Sequence, residues 1–363
     1  MNAPDIEFMQ RALRLAARGL YTTQPNPRVG CVIVKDGAVV GEGWHQRAGE
    51  AHAEVLALNA AGEKARAATV YVTLEPCDHT GKTPPCVDAL LAAGVSKVIA
   101  AMQDPNPLVA GKGLQRLREN GVEVQSGVLE AQARALNPGF IKRMETGLPF
   151  VRIKLAMSLD GRTAMASGES KWISSEAARA DVQKLRARSS AILTGIGTVL
   201  ADNPRLDVRI ASQHGAQVQP LRVVVDTQLR FPAQAQMCSS NTGGKVLIAS
   251  CNAESREDLD CDILPLPAGT NGVDLRVLMQ ELARREANEI HVEAGAKLCG
   301  ALLEAQLVDE MVIYLAPHLM GDSARGLFSL PGLKEMKDRI ELEFSDLRSI
   351  GKDLRITARP LYS

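Results

Sequence analysis

Short β-branched apolar runs alternate with helix-periodic segments along nearly the whole chain, and that alternation leaves few folds open. Ile6, Met9, Leu13 and Ala16 recur at three- and four-residue spacing, so about Asp5 to Gly19 reads as a helix with Gly19 as its stop. Val29 to Val34 reads as a strand, and Asp36-Gly37 as a hairpin turn into Ala38 to Gly43. A helix from His52 to about Ala61 and a strand from Thr69 to Leu74 follow. Pro84-Pro85 opens a helix that stops at Gly94. Lys97 to Met102 is a strand, Gly113 to Asn120 a helix and Val122 to Gln125 a short strand. Glu130 to Glu145 is a helical connector, and Gly147-Leu148-Pro149 is the natural seam.

A second series starts at Phe150. Its predicted strands are Phe150 to Met157, Ser190 to Thr194, Leu221 to Asp226, Lys245 to Ala249, Glu289 to Val292 and Met311 to Ala316. Helical patterns lie near Ala177 to Arg188, Asp274 to Glu286 and Lys297 to Ala305. A terminal hairpin pairs Leu342 to Ile350 with Leu354 to Pro360 across Gly351-Lys352. Strands joined by crossover helices imply largely parallel sheets covered on both faces. The expected organisation is two α/β domains, residues 1–147 and 148–363, which suits 363 residues at roughly 150 per domain.

Composition excludes several classes. At 45% hydrophobic and 23% charged, the chain carries enough apolar surface to rule out a largely disordered protein. Lys plus Arg (42) balances Asp plus Glu (42), which argues against a general nucleic-acid binder, and 3% aromatic residues argue against a base-stacking platform. No run of about 18 apolar residues predicts a membrane span, and the early acidic residues of MNAPDIEFMQ do not suit a signal peptide. Seven cysteines are too few, and odd in number, for a disulfide scaffold, so a cytoplasmic setting is expected.

The sharpest chemical signal is His52-Ala53-Glu54 followed by Pro76-Cys77 and then Cys86. Zinc suits one imidazole and two thiolates, and three protein ligands leave a tetrahedral position for water whose pKa the ion lowers. A carboxylate must then carry the water's proton to the leaving amine, the task for which Glu54 is placed. Residues two apart in mid-helix point about 200° apart, so His52 and Glu54 converge only if His52 precedes the regular helical dihedrals. Cys86, after Pro84-Pro85, should sit in a first helical turn, where the helix dipole favours a thiolate. Cys31, Cys238, Cys251, Cys261 and Cys299 read as apolar fillers. A closed structural zinc site would need a fourth ligand, for which His79 is the candidate.

H-A-E with a downstream P-C…C resembles the cytidine-deaminase superfamily. The extended stretch Glu75-Pro76-Cys77-Asp78-His79-Thr80-Gly81-Lys82-Thr83-Pro84-Pro85-Cys86, with Pro25-Asn26-Pro27-Arg28-Val29-Gly30 upstream, resembles the deaminase half of the bifunctional riboflavin-biosynthesis deaminase–reductases. That resemblance implies a three-layer α/β/α deaminase domain that removes the ring 2-amino group of a diaminopyrimidinone ribosylamine phosphate. Asn26 would hold the pyrimidine edge, and His79 and Lys82 the ribose phosphate. Independently, the loop His79-Thr80-Gly81-Lys82 ahead of a helix is a plausible phosphate cradle.

The second half resembles the reductase half of the same family, with a dihydrofolate-reductase-like fold and NADPH as cofactor. The resemblance rests on Lys154 to Thr163, Ser170 to Ser174, Gly195-Ile196-Gly197-Thr198-Val199, Ala201 to Leu206 and Val292-Glu293-Ala294-Gly295. Neither glycine segment is the full dinucleotide fingerprint with its downstream acid, so a Rossmann domain is not expected. The resemblance implies cofactor contacts at Ala156, Trp172, Thr198, Asp202, Thr227, Gly295, Ala296, Lys297, Leu298, Cys299, Gly300 and Ala301. It implies substrate contacts at Ser170, Arg186, Leu206, Arg209 and Glu293. Ala296-Lys297 departs from the commoner family pattern, which leaves backbone contacts there. Arg186 and Arg209 also suit a phosphate chemically. Lys154, Asp160 and Glu293 are the unranked candidates for proton delivery, and a homodimer is expected by resemblance. Two rivals stand beside this reading: a nucleoside-type deaminase with an accessory domain, and a sensor with a structural zinc.

Overall fold

Alternation along β1 (Gly30–Lys35) sets the layering of the first unit. Cys31 and Ile33 enter one buried cluster and Val32 and Val34 the other, one on each face of the sheet. The computed structural model describes residues 3–80, 84–107, 109–210, 218–239, 243–254, 256–270 and 272–362. It divides into the units Met1–Leu148 and Pro149–Ser363. On the Val32 face lie α1 (Ala3–Ala17), α5 (Glu130–Leu136) and α6 (Pro138–Thr146), through Met9, Ala133 and Ile141. On the Cys31 face lie α2 (Ala53–Ala61), α3 (Cys86–Ala92) and α4 (Lys112–Glu119), through Ala57, Leu90 and Leu117.

The remaining strands are β2 (Ala38–Trp44), β3 (Thr69–Val72), β4 (Lys97–Ala100) and β5 (Glu123–Ser126), in the order β2-β1-β3-β4-β5. Only β3, β4 and β5 are parallel; β1 runs antiparallel to both β2 and β3. The largely parallel sheet expected from the alternation is therefore corrected to a mixed one here. Asp36 (φ 51°) and Gly37 (φ 75°) form the left-handed two-residue turn that folds β2 back. The connector expected as one helix is two, because Pro138 lacks the amide a helix interior needs and opens α6 instead. The Asn137 side chain at this break accepts from the Arg28 N–H at 2.8 Å and donates to the Arg28 carbonyl at 2.9 Å.

In the second unit β6 (Phe150–Ser158), β7 (Arg162–Ala164), α7 (Glu176–Ala187), β8 (Ala191–Gly195) and α8 (Ile196–Asp202) come first. Then come β9 (Leu221–Val225), β10 (Val246–Ser250), β11 (Asp262–Pro265), β12 (Ala268–Gly269), β13 (Gly272–Val273), α9 (Leu275–Arg284) and β14 (Glu289–Val292). The unit closes with α10 (Ala296–Glu304), β15 (Glu310–Ala316), β16 (Arg325–Gly326), β17 (Glu341–Ile350) and β18 (Asp353–Leu361). The nine-stranded sheet runs β11-β10-β9-β8-β14-β6-β15-β18-β17. It is parallel from β11 to β15, and β18 and β17 add on antiparallel.

Two connections in this sheet diverge. From β8 the chain passes through α8 to β9 on one side; from β14 it passes through α10 to β15 on the other. Diverging connections open a crevice at the carboxyl ends of neighbouring parallel strands, where open α/β sheets take their ligands. One face of this sheet also carries buried charge. Arg152 on β6 bonds Glu289 on β14 at 3.0 Å and Glu310 on β15, and Arg188 reaches Glu289 at 3.0 Å. No helix among the described residues is long and apolar enough to cross a membrane.

Candidate functional site: a His/Cys/Cys centre and a crevice between parallel strands

Three donors converge at one end of the first sheet. His52 is extended (φ −72°, ψ 164°) and caps α2, so helical dihedrals begin at Ala53. That is the conformation His52 and Glu54 need to face one place. Gly43 lets the helix start sit against β2, since a Cβ there would lie 2.3 Å from the Ala53 carbonyl oxygen. His52 Nδ1 lies 3.2 Å from Cys86 Sγ and 3.5 Å from Cys77 Sγ, and the three donor atoms lie within 4.8 Å of one another. Ordinary Zn–N and Zn–S bonds at a tetrahedral angle imply an N···S edge of about 3.5 Å, so the set fits zinc. The fourth donor that a structural site would require is absent from this cluster among the described residues.

Glu54, on the first turn of α2, is 3% exposed. Burial, then the neighbouring Cys77 thiolate, raises its carboxyl to about 7. Cys77 is drawn down to about 4, chiefly by the Cys86 S–H that donates to it, and its thiolate also gains from His52. The same coupling pushes Cys86 up. A buried acid near neutrality beside nitrogen and sulfur donors is equipped to move a proton.

The loop carrying Cys77 is braced by α4. The buried Glu75 carboxylate accepts from the amides of Asp104 (3.1 Å), Gly111 (2.9 Å), Gly113 (2.9 Å) and Leu114 (3.2 Å). Arg116 bonds Asp78 at 2.5 Å and Asp88 at 2.6 Å. Nothing in the sequence around Glu75 marks these partners, which arrive from 29 to 39 residues downstream. A Cβ at Gly113 would stand 2.0 Å from the Pro76 carbonyl oxygen. Gly113→Ala must therefore move the chain next to Cys77, at about 1–3 kcal/mol of overpacking. We expect that variant to surrender zinc to a chelator faster than the parent, read as metal content over time; unchanged release would refute the brace.

Asn26 lies beside the centre through His45, whereas His79 is exposed and Lys82 falls outside the described residues.

In the second unit the expected cofactor contacts on α8 and α10 directly follow β8 and β14, the strands that flank the crevice. Cys299 and Gly300, however, point into the fold: Cys299 is fully buried, and a Cβ at Gly300 would stand 2.0 Å from the Ser329 carbonyl oxygen. Gly295 caps α10, and Ala296, Lys297, Leu298, Cys299, Gly300 and Ala301 form its first turns. A Cβ at Gly197 or Gly295 would meet nothing within 4 Å, so the backbone there is open to a large polar ligand. Such an open helix start suits the anionic phosphates of a dinucleotide. Thr198 and Asp202 lie on α8, with Asp202 3.7 Å from Lys171 Nζ, and Thr227 follows β9. Trp172 is 70% exposed, with the Arg179 guanidinium 4.6 Å from its ring centroid. Ala156 lies on β6, Ser170 precedes α7, and Leu206 is buried with Phe231 and Met237.

Arg186 meets Glu293 rather than open space. Its Nε and Nη2 donate to the two carboxylate oxygens at 2.5 and 3.0 Å, and Nη1 donates to the Asp207 carbonyl at 3.0 Å. A fork expected to face a phosphate is thus largely taken up within the chain. Arg209 is exposed, and its Nη1 lies 3.7 Å from Asp207. Burial alone would raise Glu293; the charge of Arg186 and its two bonds, with His291 Nε2 3.2 Å away, reverse this and hold it well below the usual carboxylate range. Burial lowers Lys154, with Glu293 opposing. Asp160 accepts from Ser158 Oγ (2.5 Å), Gly321 N (2.8 Å) and Met320 N (3.1 Å), which lower its carboxyl to about 2. His291 and Asp207, which no sequence pattern singles out, complete this cluster.

A family model described as the cytidine and deoxycytidylate deaminase zinc-binding region matches residues 3–102, and one described as the RibD C-terminal domain matches residues 149–356. The riboflavin biosynthesis protein RibD of Escherichia coli is 53% identical over 361 residues, covering 96% of this chain and 98% of its own. The chain belongs to the RibD family. The RibD of Haemophilus influenzae is 50% identical, covering 99% of this chain and 98% of its own. Among solved structures, Acinetobacter baumannii RibD superposes with a TM-score of 0.91 at 47% identity, covering 99% of each chain. A diaminohydroxyphosphoribosylaminopyrimidine deaminase/5-amino-6-(5-phosphoribosylamino)uracil reductase from Thermotoga maritima reaches 0.86 at 32% identity, covering 99% of each chain. As a RibD the chain joins a cytidine-deaminase-like domain to a reductase domain, and it is an enzyme with zinc and NADPH as its cofactors.

Proposed function

We propose that this chain performs two successive reactions on one pyrimidine ribosylamine phosphate. Residues 1–147 hydrolyse the ring 2-amino group of 2,5-diamino-6-(5-phosphoribosylamino)pyrimidin-4-one, and residues 148–363 reduce the ribosylamino group of the resulting uracil to ribitylamino. The observation that carries this reading is the buried Glu54 carboxylate beside one imidazole and two sulfurs at tetrahedral spacing. Family membership and the two activities that name the Thermotoga protein support it.

His52, Cys77 and Cys86 would hold zinc, which supplies the Lewis acidity that makes water a nucleophile near neutral pH. Glu54 takes the proton from that water on a carboxylate oxygen and returns it to the departing amine, so ammonia leaves and a ring carbonyl forms. The α10 start, with Thr198, Asp202 and Thr227, would hold NADPH, which supplies the hydride. The sugar carbon of the ring-opened imine takes that hydride and its nitrogen takes a proton. We assign Lys154 as the proton carrier, since its ammonium is weakened by burial and faces Glu293. Asp160 stays ionised and ties the 318–321 loop to the end of β6. Arg209, with Lys82 and His79 in the other unit, is the phosphate contact in this reading.

The test is incubation with the diaminopyrimidinone phosphate, with and without NADPH, followed by mass measurement. Exchange of one amine for oxygen should appear alone, and two added hydrogens only with NADPH. Recovery of unchanged substrate under both conditions would sink the proposal.

The assembly we propose is a homodimer in the cytoplasm. None of the seven cysteines is joined in a disulfide, as a reducing compartment allows. A bulge at Ser345 rephases β17 so that Leu342, Phe344 and Leu347 pair with Pro360, Ala358 and Ile356 and share one sheet face. They are 40%, 62% and 56% exposed on an edge strand, a pattern that marks a contact surface. Light scattering should give the mass of two chains, and Phe344→Lys should shift it toward one. A monomeric parent protein would refute this assembly.

A further inference from the structure

The loop that carries Asn26 reaches the metal-site helix through one buried imidazole. His45 directly follows β2 and is 3% exposed. Its ring stands edge-on to that of His52, with centroids 5.3 Å apart and planes at 85°. Its Nδ1 lies 3.2 Å from the Ala51 carbonyl oxygen, and its Nε2 lies 3.1 Å from Asn26 Nδ2. A carbonyl oxygen only accepts, so Nδ1 carries the hydrogen. An amide nitrogen only donates, so Nε2 offers its lone pair and the ring is the neutral Nδ1–H tautomer.

This pairing also fixes the amide of Asn26. With its NH2 committed to His45, the carbonyl oxygen Oδ1 is turned away from the imidazole. The backbone under Asn26 is already fixed: its N–H donates to the Thr23 carbonyl at 2.8 Å, and Arg28, two residues on, is gripped on both backbone groups by Asn137. The freedom that remains is rotation of the Asn26 side chain, and His45 removes it.

We propose that His45 is a positioning residue for substrate recognition, which aims Asn26 Oδ1 at the pyrimidine so that the site selects a ring edge offering N–H donors. The proposal rests on the reading of Asn26 as the pyrimidine contact. It assigns His45 no contact with the reacting atoms and no part in holding the metal. A ring whose facing edge presents only acceptors would set oxygen or nitrogen lone pairs against Oδ1 and be refused.

A double-mutant cycle tests it. Asn26→Ala and His45→Leu should each raise KM for ammonia release about tenfold, the worth of one aimed hydrogen bond, with a smaller change in kcat. The double variant should be no worse than Asn26→Ala alone, because His45 acts only through the amide. His45→Gln, whose Oε1 can accept from Asn26 Nδ2, should recover most of the loss. Zinc content and turnover of the deaminated intermediate by the reductase should match the parent in every variant.

The same cycle, read as calorimetric Kd for the diaminopyrimidinone phosphate in an inactivated Glu54→Gln background, measures the coupling without turnover. If the parent releases no ammonia, the deaminase reading fails while this second cycle still decides the role of His45. Additive losses, no recovery by His45→Gln, or zinc lost from His45→Leu and His45→Gln alike would overturn the proposal. The last result would make His45 a support for His52 instead.

Discussion

Glu54→Gln should abolish ammonia release while leaving the reductase working. The expected fall in deamination is about 10²–10⁴-fold, the usual worth of a positioned general acid–base group. Glutamine keeps the size of the side chain and one of its oxygens, but it cannot take a proton from water. Structural damage should be small. Burial already raises Glu54 to about 7, so a neutral amide in its place removes an awkward buried charge rather than a needed one. Zinc content should be unchanged, because the donor set is His52, Cys77 and Cys86. Ammonia release from purified Glu54→Gln protein at the parental rate would refute the proton-transfer role; loss of zinc together with activity would instead move Glu54 into the metal site's support.

How much of this is legible in the sequence depends on how local the cause is. The strand and helix alternation, the seam at Gly147-Leu148-Pro149 and the hairpin turn at Asp36-Gly37 are written in neighbouring residues, and the observed elements follow them within a few positions. The direction of β1 is not local. An apolar run looks the same whether its partner is parallel or antiparallel, so the mixed sheet of the first unit escapes a reading of pattern alone. The break at Asn137-Pro138 carries a local signal, the proline, that the apolar periodicity on either side of it conceals. The short helix α8 is hidden because Gly195 and Gly197 suggest a loop, yet Ile196 and Val199 are buried enough to hold the turn.

The site divides in the same way. His52, Glu54, Cys77 and Cys86 share a spacing that only a few chemistries need, and so they stand out from the sequence. Glu75, His45, Asn137 and Asp207 act through partners far along the chain, and an isolated carboxylate or imidazole says nothing about where its partners come from. Arg186 is the instructive case. Its chemistry suggests a phosphate, but the parallel register that brings β14 beside β8 also puts Glu293 in front of it.

That pairing makes Arg186→Ala the second large effect. Arg186 and Glu293 are both mostly buried, and removing one partner of a buried pair costs about 3–5 kcal/mol because the other charge is left uncompensated. The second unit should therefore melt earlier and NADPH-dependent reduction should collapse. Deamination should persist, since the first unit has cores of its own. The pH dependence gives the sign. In the parent, Glu293 lies well below its unfolded value, so its contribution is present above that value and is lost only as pH falls through the folded one. In Arg186→Ala the burial that Arg186 had overcome acts without its chief opponent, and the folded carboxyl rises above its unfolded value. The native state then binds the proton more tightly than the unfolded one, so stability grows as pH falls through the raised folded value toward the unfolded value of about 4.3. His291, with Nε2 3.2 Å from Glu293, pushes the same way, because losing the charge of Arg186 lets it take a proton more readily. Melting of the second unit, followed at pH 5.5 and 7.5, should show the variant recovering part of its deficit at the lower pH and the parent gaining nothing from Glu293. Parallel pH profiles for parent and variant would refute the pairing as the cause, and equal loss of deamination and reduction would mean that Arg186 holds up more of the chain than its own unit.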